Sequence, residues 1–333
     1  MLTEGDEESG NFIDEYIEQL KDRIGTPQII FCLDSGALDY NHLFITKSLR
    51  GYIGATLKSQ VLDIGVHSGE ISGVIPAAYR VLNLSIGKLE DVKTGIINDK
   101  FTVNVPPNRY EEVYTIVSQL GDQAIKDFPL YGNTEKVTDD NLELVLNRTW
   151  RPQLTVTSIN GYPPISEAGN VSQPWLEAKL SLRVPPTLNV EQAQTDLKNI
   201  LETNPPYQSS VTVSNISGGS GWNCPDYEEW LTDIFDEAGQ LYFETDTMSH
   251  GEGGSIPLMG LLSDLWPNAQ FVVTGVLGPE SNAHGPNEFL DIPYCKKLTQ
   301  CMAHVVAKSV DHLKGGEKKK GKGKGWSLIK KKK

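Results

Sequence analysis

Long apolar runs are missing from this chain. None approaches the roughly 18–20 residues that a helical membrane span needs, so no integral membrane helix is expected. Cysteine is scarce as well: Cys32, Cys224, Cys295 and Cys301 form no C-x-x-C pair. Neither a zinc ribbon nor a dense disulfide framework is therefore read. No Walker A pattern and no G-x-G-x-x-G occurs, which removes the usual phosphate cradles. The opening stretch MLTEGDEESG has no positive charge and no apolar h-region, so no secretory signal is read and the cytoplasm is the expected compartment. The sequons at Asn83, Asn147, Asn170 and Asn215 are then chance matches. No internal repeat is present.

Positive charge is scarce everywhere except at the C-terminus. Lys314 to Lys333 holds ten lysines and a single glutamate. The rest of the chain carries 20 basic against 42 acidic side chains, a net charge of −22. A body that acidic repels phosphate backbones, so nucleic-acid binding by the folded part is not expected. The tail has too little apolar surface to order itself and reads as disordered. It is either a solvated tail or translated end with no selected role, or a polybasic contact for RNA, anionic lipid or a nuclear import receptor.

The 333 residues, 38% hydrophobic, suffice for one large or two moderate domains. Phe12, Ile13, Tyr16, Ile17, Leu20 and Ile24 recur at helical steps and predict a helix over 11–24. QIIFCLDSG then reads as a buried strand that delivers Asp34 at its carboxyl end, where open α/β sheets place ligands. SLRGYIGATLKSQ reads as one long strand, followed by a helical stretch from Gly73 to Leu89. TWRPQLTVTSI and WLEAKLSLRVP are strands, VEQAQTDLKNILE a helix and SSVTVSNIS a strand. With the segment 91–150 set aside, the order is β-α-β-β-α-β, a ferredoxin-like α+β unit. GGSGWNCPD, dense in turn residues, marks a boundary. Beyond it come a helix with Trp230, the loop SHGEGGSIPLMG, the strand QFVVTGVLG and a last helix from about Ile292 to Leu313.

Several polar groups stand where strands end. In Asp6-Glu7-Glu8-Ser9-Gly10, adjacent glutamates point in different directions, so one can hold a metal while the other polarises its water. Such a cluster also simply complements a helix dipole. His284, in a loop rich in glycine, proline and asparagine, is a candidate ligand. The loop Gly251-Glu252-Gly253-Gly254-Ser255 lets backbone N–H groups approach an anion, or merely turns the chain. His250 before it is either an exposed loop histidine or a substrate contact.

The ordered set EESG, LDSG, SLRG, HSGEISGVIP, SLRVPPT, GEGGSIP and HGPNEF, spread over about residues 2–313, resembles the dinuclear zinc metallopeptidases of the carnosinase and cytosolic non-specific dipeptidase family. Glutamate carboxypeptidases and aminoacylases are its relatives. The resemblance implies an α/β zinc-peptidase-like catalytic domain with an inserted ferredoxin-like lid and dimerisation domain. Its pieces would be 1–46 and 218–313 for the catalytic domain, 47–217 for the lid and 314–333 for the tail. It further implies hydrolysis of dipeptides or short peptides, two Zn2+ per chain in complete relatives (Mn2+ being possible), and a homodimer through the lid. Glu7 matches the general base. Glu8, Asp34 and His284 match metal ligands. His67 matches a lid histidine that reaches the partner's site to stabilise the oxyanion. Arg183, Gly254 and Ser255 match the groups that hold the substrate's carboxylate. The family's H-x-D motif and its bridging aspartate have no counterpart here, since none of the six histidines is followed two residues on by aspartate. Impaired catalysis is therefore expected, the alternative being an inactive fragment or dimerisation module.

Overall fold

The computed structural model describes residues 13–125 and 128–321. Its first elements follow the predicted order. Helix α1 (Ile13–Ile24) buries Ile13 and Ile17, and β1 (Ile29–Cys32) follows it. The next stretch departs from the single long strand expected. It divides into β2 (Phe44–Leu49), wholly buried, and β3 (Gly51–Gln60), buried at every second residue. The change of burial period marks a change of sheet: a strand covered on both faces gives way to one covered on one face. Arg50 stands at the junction. Gly51 is required there, because a Cβ would lie 2.7 Å from Gly219 O and from Gly221 N.

The lid follows from that alternation. After β3 come β4 (Val66–His67), α2 (Ser68–Ile71) and α3 (Ala78–Ile86), so the helical stretch expected over 73–89 is a short turn plus one helix. Helices α4 (Pro107–Leu120) and α5 (Asn141–Thr149) occupy the segment that had been set aside. Then β5 (Gln153–Asn160), β6 (Val171–Ser172), β7 (Trp175–Val184), α6 (Val190–Glu202) and β8 (Ser210–Gly219) complete the unit. The strands β5-β7-β3-β8 form one antiparallel sheet, with the crossed order of a ferredoxin-like fold. Ile53, Ala55 and Leu57 of β3 and Leu176 to Val184 of β7 turn one face toward Val81 and Leu82 of α3 and Leu197 and Leu201 of α6. At roughly 25 cal/mol per Å2 of apolar surface, this closed core is the main stabilising term of the lid.

The chain then returns to the first body. The boundary segment forms β9 (Trp222–Asn223), antiparallel to β2. It is followed by α7 (Glu229–Tyr242), β10 (Met248–Glu252), α8 (Pro257–Leu265), β11 (Gln270–Val273) and α9 (Ile292–Gly321). β10 lies parallel to β2, and β11 lies parallel to β1. α9 continues past Leu313 into the lysine-rich stretch, which corrects the expectation that order stops there. Helices α4 and α5 pack on this body and not on the lid core. Val113, Ile116, Val145, Leu146 and Trp150 share a cluster with Phe44, Phe235 and Tyr294. Arg109 locks α4 in place: its Nε donates to Asn223 Oδ1 at 2.8 Å and it ion-pairs with Glu112, with only 2% of its surface exposed.

Candidate active site

The carboxyl ends of β1, β11 and β10 and the loops after them open onto one cleft of about 880 Å3, lined among others by Gly36, Arg148, His250, Glu252, Gly254 and Ala283. This is where a sheet edge of this kind presents ligands. The strands run on past their last paired residues: Ser35 N donates to Thr274 O, and Ala37 N to Leu277 O at 2.9 Å. Gly36 and Gly275 are the close points of that contact. A Cβ on Gly275 would stand 1.6 Å from Ser35 O, and one on Gly36 would stand 2.5 Å from Leu277 O.

Asp34 and His284 lie on the two segments that flank the cleft, and both are exposed. His284 has φ 61°, a left-handed conformation in a loop that also holds Glu280, Asn282 and Asn287 at positive φ. Glu7 and Glu8 lie outside the described residues. Among the described residues no group of three or more His, Cys, Asp or Glu side chains is placed to hold a metal ion. Asp34 and His284 are two donors, whereas a catalytic zinc takes about three from the protein. The described residues therefore do not by themselves make the expected zinc site.

The carboxylate-holding groups converge. Arg183, near the end of β7, donates from Nη1 to Ser255 Oγ at 3.0 Å, and Ser255 Oγ donates to Arg50 O. Register explains the meeting: Arg183 pairs with Tyr52, two residues beyond the point where the chain leaves the first body. Gly254, beside Ser255, is open, with nothing within 4 Å of where a Cβ would stand. It is exposed and lines the cleft.

His67 sits elsewhere, on the lid. It closes β4, pairs with Val171, and caps α2 by accepting from Gly69 N through Nδ1 at 3.2 Å. An accepting Nδ1 places the ring proton of the neutral imidazole on Nε2, so the exposed edge is a hydrogen-bond donor.

His250 corrects the reading of an exposed loop residue. It belongs to strand β10, is 2% exposed, and meets Thr46 Oγ1 through Nε2 at 3.1 Å. Thr46 Oγ1 is 2.5 Å from Ser35 Oγ, which donates to Glu252 Oε1 at 2.8 Å; Gly36 N donates to the same oxygen at 2.8 Å. A polar chain thus runs under the cleft floor and fixes the Glu252 carboxylate. Sequence pattern gave no sign of it, because its members come from β2, β10 and the loop after β1. Burial, the largest influence, holds the His250 pKa below its usual value, opposed by the Glu252 charge. A histidine buried neutral must bind a proton on unfolding, so the unfolded chain takes up more protons below its own pKa of about 6.5. Stability is expected to be full above that pH and to decline as pH falls from 7 to 5. Urea midpoints should show this, and His250→Gln should flatten the slope; an unchanged slope would remove His250 as its source.

Arg50, buried at the sheet junction, donates to Gly253 O at 3.2 Å and to Asn147 O at 3.2 Å. Burial first, then the neighbouring Arg183 and Arg148 charges, lower its pKa to about 10. It still carries its charge at neutral pH.

Comparison with known proteins matches this architecture. Residues 47–209 fit the peptidase dimerisation domain of the M20 type. A cysteinylglycine-S-conjugate dipeptidase of Corynebacterium striatum is 27% identical over 301 residues, which is 87% of this chain and 62% of that protein. The solved structure of the di-peptidase Dug1p from Saccharomyces cerevisiae superposes with a TM-score of 0.69 at 20% identity, covering 92% of this chain and 64% of that one. An M20 family metallo-carboxypeptidase from Sulfolobus solfataricus gives 0.70 at 16% identity, covering 92% and 69%. Residues 47–209 are thus similar to the M20-type peptidase dimerisation domain, the whole chain is similar in sequence to the Corynebacterium dipeptidase, and it shares its fold with the two solved peptidases. It spans about three fifths of the length of the Corynebacterium relative. The Sulfolobus relative is described as a metallo-carboxypeptidase, and no helix among the described residues is long and apolar enough to cross a membrane.

Proposed function

We propose that this chain serves a hydrolase of dipeptides or short peptides that carry a free C-terminal carboxylate. One observation carries the reading. Arg183 of the lid and Ser255 of the first body, far apart in sequence, meet at 3.0 Å, next in the chain to Gly253 and Gly254, which line the cleft. The guanidinium, steadied by Ser255 Oγ, suits a planar carboxylate, since charge-assisted hydrogen bonds from such a donor are the strong ones. The remaining roles rest on the resemblance. Glu7 takes the proton of the attacking water. Glu8, Asp34 and His284 are donors toward Zn2+ or Mn2+. His67 donates from Nε2 to the developing oxyanion in a partner's site. No step is assigned to the metal, for which the described donors are too few.

His67 would serve a partner only in a homodimer formed through the lid. The outer strand β5 suits that, being exposed along most of its length with Val156 and Ile159 turned to solvent.

The test is calorimetric binding of Cys-Gly and of its C-terminal amide to the whole chain, with hydrolysis followed in parallel under added Zn2+ or Mn2+. Cys-Gly should bind at least tenfold more tightly than the amide. Equal binding of the two would sink the carboxylate reading, whatever the turnover.

A further inference from the structure

The basic C-terminus is the strongest charge feature that the cleft leaves unused, and α9 carries it. Helices α7 and α9 run antiparallel. Cys301 Sγ reaches Ala238 O at 3.7 Å, Lys308 Nζ pairs with Glu237 at 2.7 Å, and the rings of Trp230 and His312 stack with centroids 4.5 Å apart. Since α7 begins at Glu229, His312 stands beside its first turn. From there α9 continues to Gly321. At a rise of about 1.5 Å per residue, it extends about 14 Å past the helix it packs on.

The charge on that helix differs from the rest of the chain. Residues 1–313 carry a net charge of −22, which repels an anionic surface. From Ile292 to Lys314, however, α9 holds a single acid, Asp311. Lys296, Gln300, Ala303, Ala307, Val310 and Lys314 are all exposed, and their steps of three and four place them on one side of the helix. That side is free of acid and partly apolar, and the sequence beyond it turns to lysine. Charges are screened over about 8 Å at physiological salt. An extension longer than that carries lysines clear of the repulsion that α7 and its acidic neighbours exert.

Composition chooses between the anionic partners. Trp326, Leu328 and Ile329 fall within four residues, between Lys324 and the run Lys330 to Lys333. A nucleic-acid backbone asks for charge, and its bases ask for aromatic faces, so Leu328 and Ile329 have no work there. A lipid surface uses both kinds of residue: lysines meet the headgroups, while tryptophan, leucine and isoleucine enter the acyl boundary. Lysine stems suit the same place, because they lie along apolar surface and keep their charge in water. We propose that the basic end of α9, with the segment that follows it, is an attachment site for an anionic lipid surface. The acid-free side of the helix faces that surface, and Trp326, Leu328 and Ile329 insert.

The experiment is sedimentation of the full chain with vesicles of phosphatidylcholine and with vesicles of a phosphatidylcholine–phosphatidylserine mixture, at low and high salt. The unaltered chain should bind the serine-lipid vesicles at least tenfold more tightly than the neutral ones, and high salt should remove most of that preference. A chain that stops after Leu313 should lose the binding. Replacing Trp326, Leu328 and Ile329 together by alanine should weaken it at least fivefold with every lysine in place. Equal binding to both vesicles, or to neither, overturns the proposal, and this arm needs no variant to fold. Full binding by the alanine variant also overturns it, since charge alone would then serve any polyanion. An oligouridine bound more tightly than the serine-lipid vesicles would assign the end of α9 to RNA instead.

Discussion

Gly275→Ala is expected to destabilise the chain by about 3 kcal/mol or more, at the upper end of what overpacking a close contact costs. The added Cβ would fall 1.6 Å from Ser35 O, 2.4 Å from Ser35 C and 2.5 Å from Ser35 N. All three are backbone atoms, so no side-chain rotation relieves the clash and the two strand continuations must part. Parting them breaks Ser35 N to Thr274 O and Ala37 N to Leu277 O, and it moves Ser35 and Gly36, which hold Glu252. The cleft floor should therefore loosen together with the loss of stability. Urea denaturation measures the effect, with Gly254→Ala as the control, since that position has nothing within 4 Å. A Gly275→Ala midpoint equal to that of the control would show that the strands yield at no cost.

Arg183→Met should weaken binding of a simple dipeptide by about 30- to 150-fold, the equivalent of the roughly 2–3 kcal/mol that a hydrogen bond to a charged group contributes. The C-terminal amide of the same peptide should lose far less, because it offers no carboxylate to the missing guanidinium. Ser255→Ala should lose less than Arg183→Met, since it removes only the hydroxyl that steadies the guanidinium and leaves the charge. Calorimetry on both ligands separates these outcomes. A uniform loss on peptide and amide alike would mean that Arg183 supports the shape of the cleft and does not bind its ligand. Arg183 also lies 5.9 Å over the ring of Tyr52, a contact that the methionine side chain can largely refill.

Much of the lid was legible because its pattern is local. Ile53, Ala55 and Leu57 alternate with half-exposed neighbours, and Val190, Ala193, Leu197 and Leu201 recur at helical steps. A sheet covered on one face and an amphipathic helix write their burial into the sequence period. The same logic failed at Arg50. Apolar residues occur in both strands (Phe44, Ile45 and Leu49, then Ile53 and Leu57), so nothing local shows that β2 is covered on both faces and belongs to another sheet. It failed again for α4 and α5, whose apolar faces look the same whichever core receives them.

The site divides along the same line. Asp34 and His284 could be singled out because strand ends and Gly-Pro-Asn loops are visible as text, and Arg183, Gly254 and Ser255 because they stand in short motifs. His250 and Arg148 could not. A histidine beside glycines reads as loop until its strand is paired, and an arginine on a half-polar helix reads as solvated until a neighbouring loop closes over it.

The sequence by itself determined the family motifs, the alternation that builds the lid and the acidic body with its basic end, all of which depend on residue type and spacing. Only the tertiary structure decided that Arg183 meets Ser255, that Arg148 joins the cleft wall, and that Ser35, Thr46, His250 and Glu252 form one chain of hydrogen bonds. Those contacts join residues from separate elements, and their energy depends on burial and distance, which no local period records.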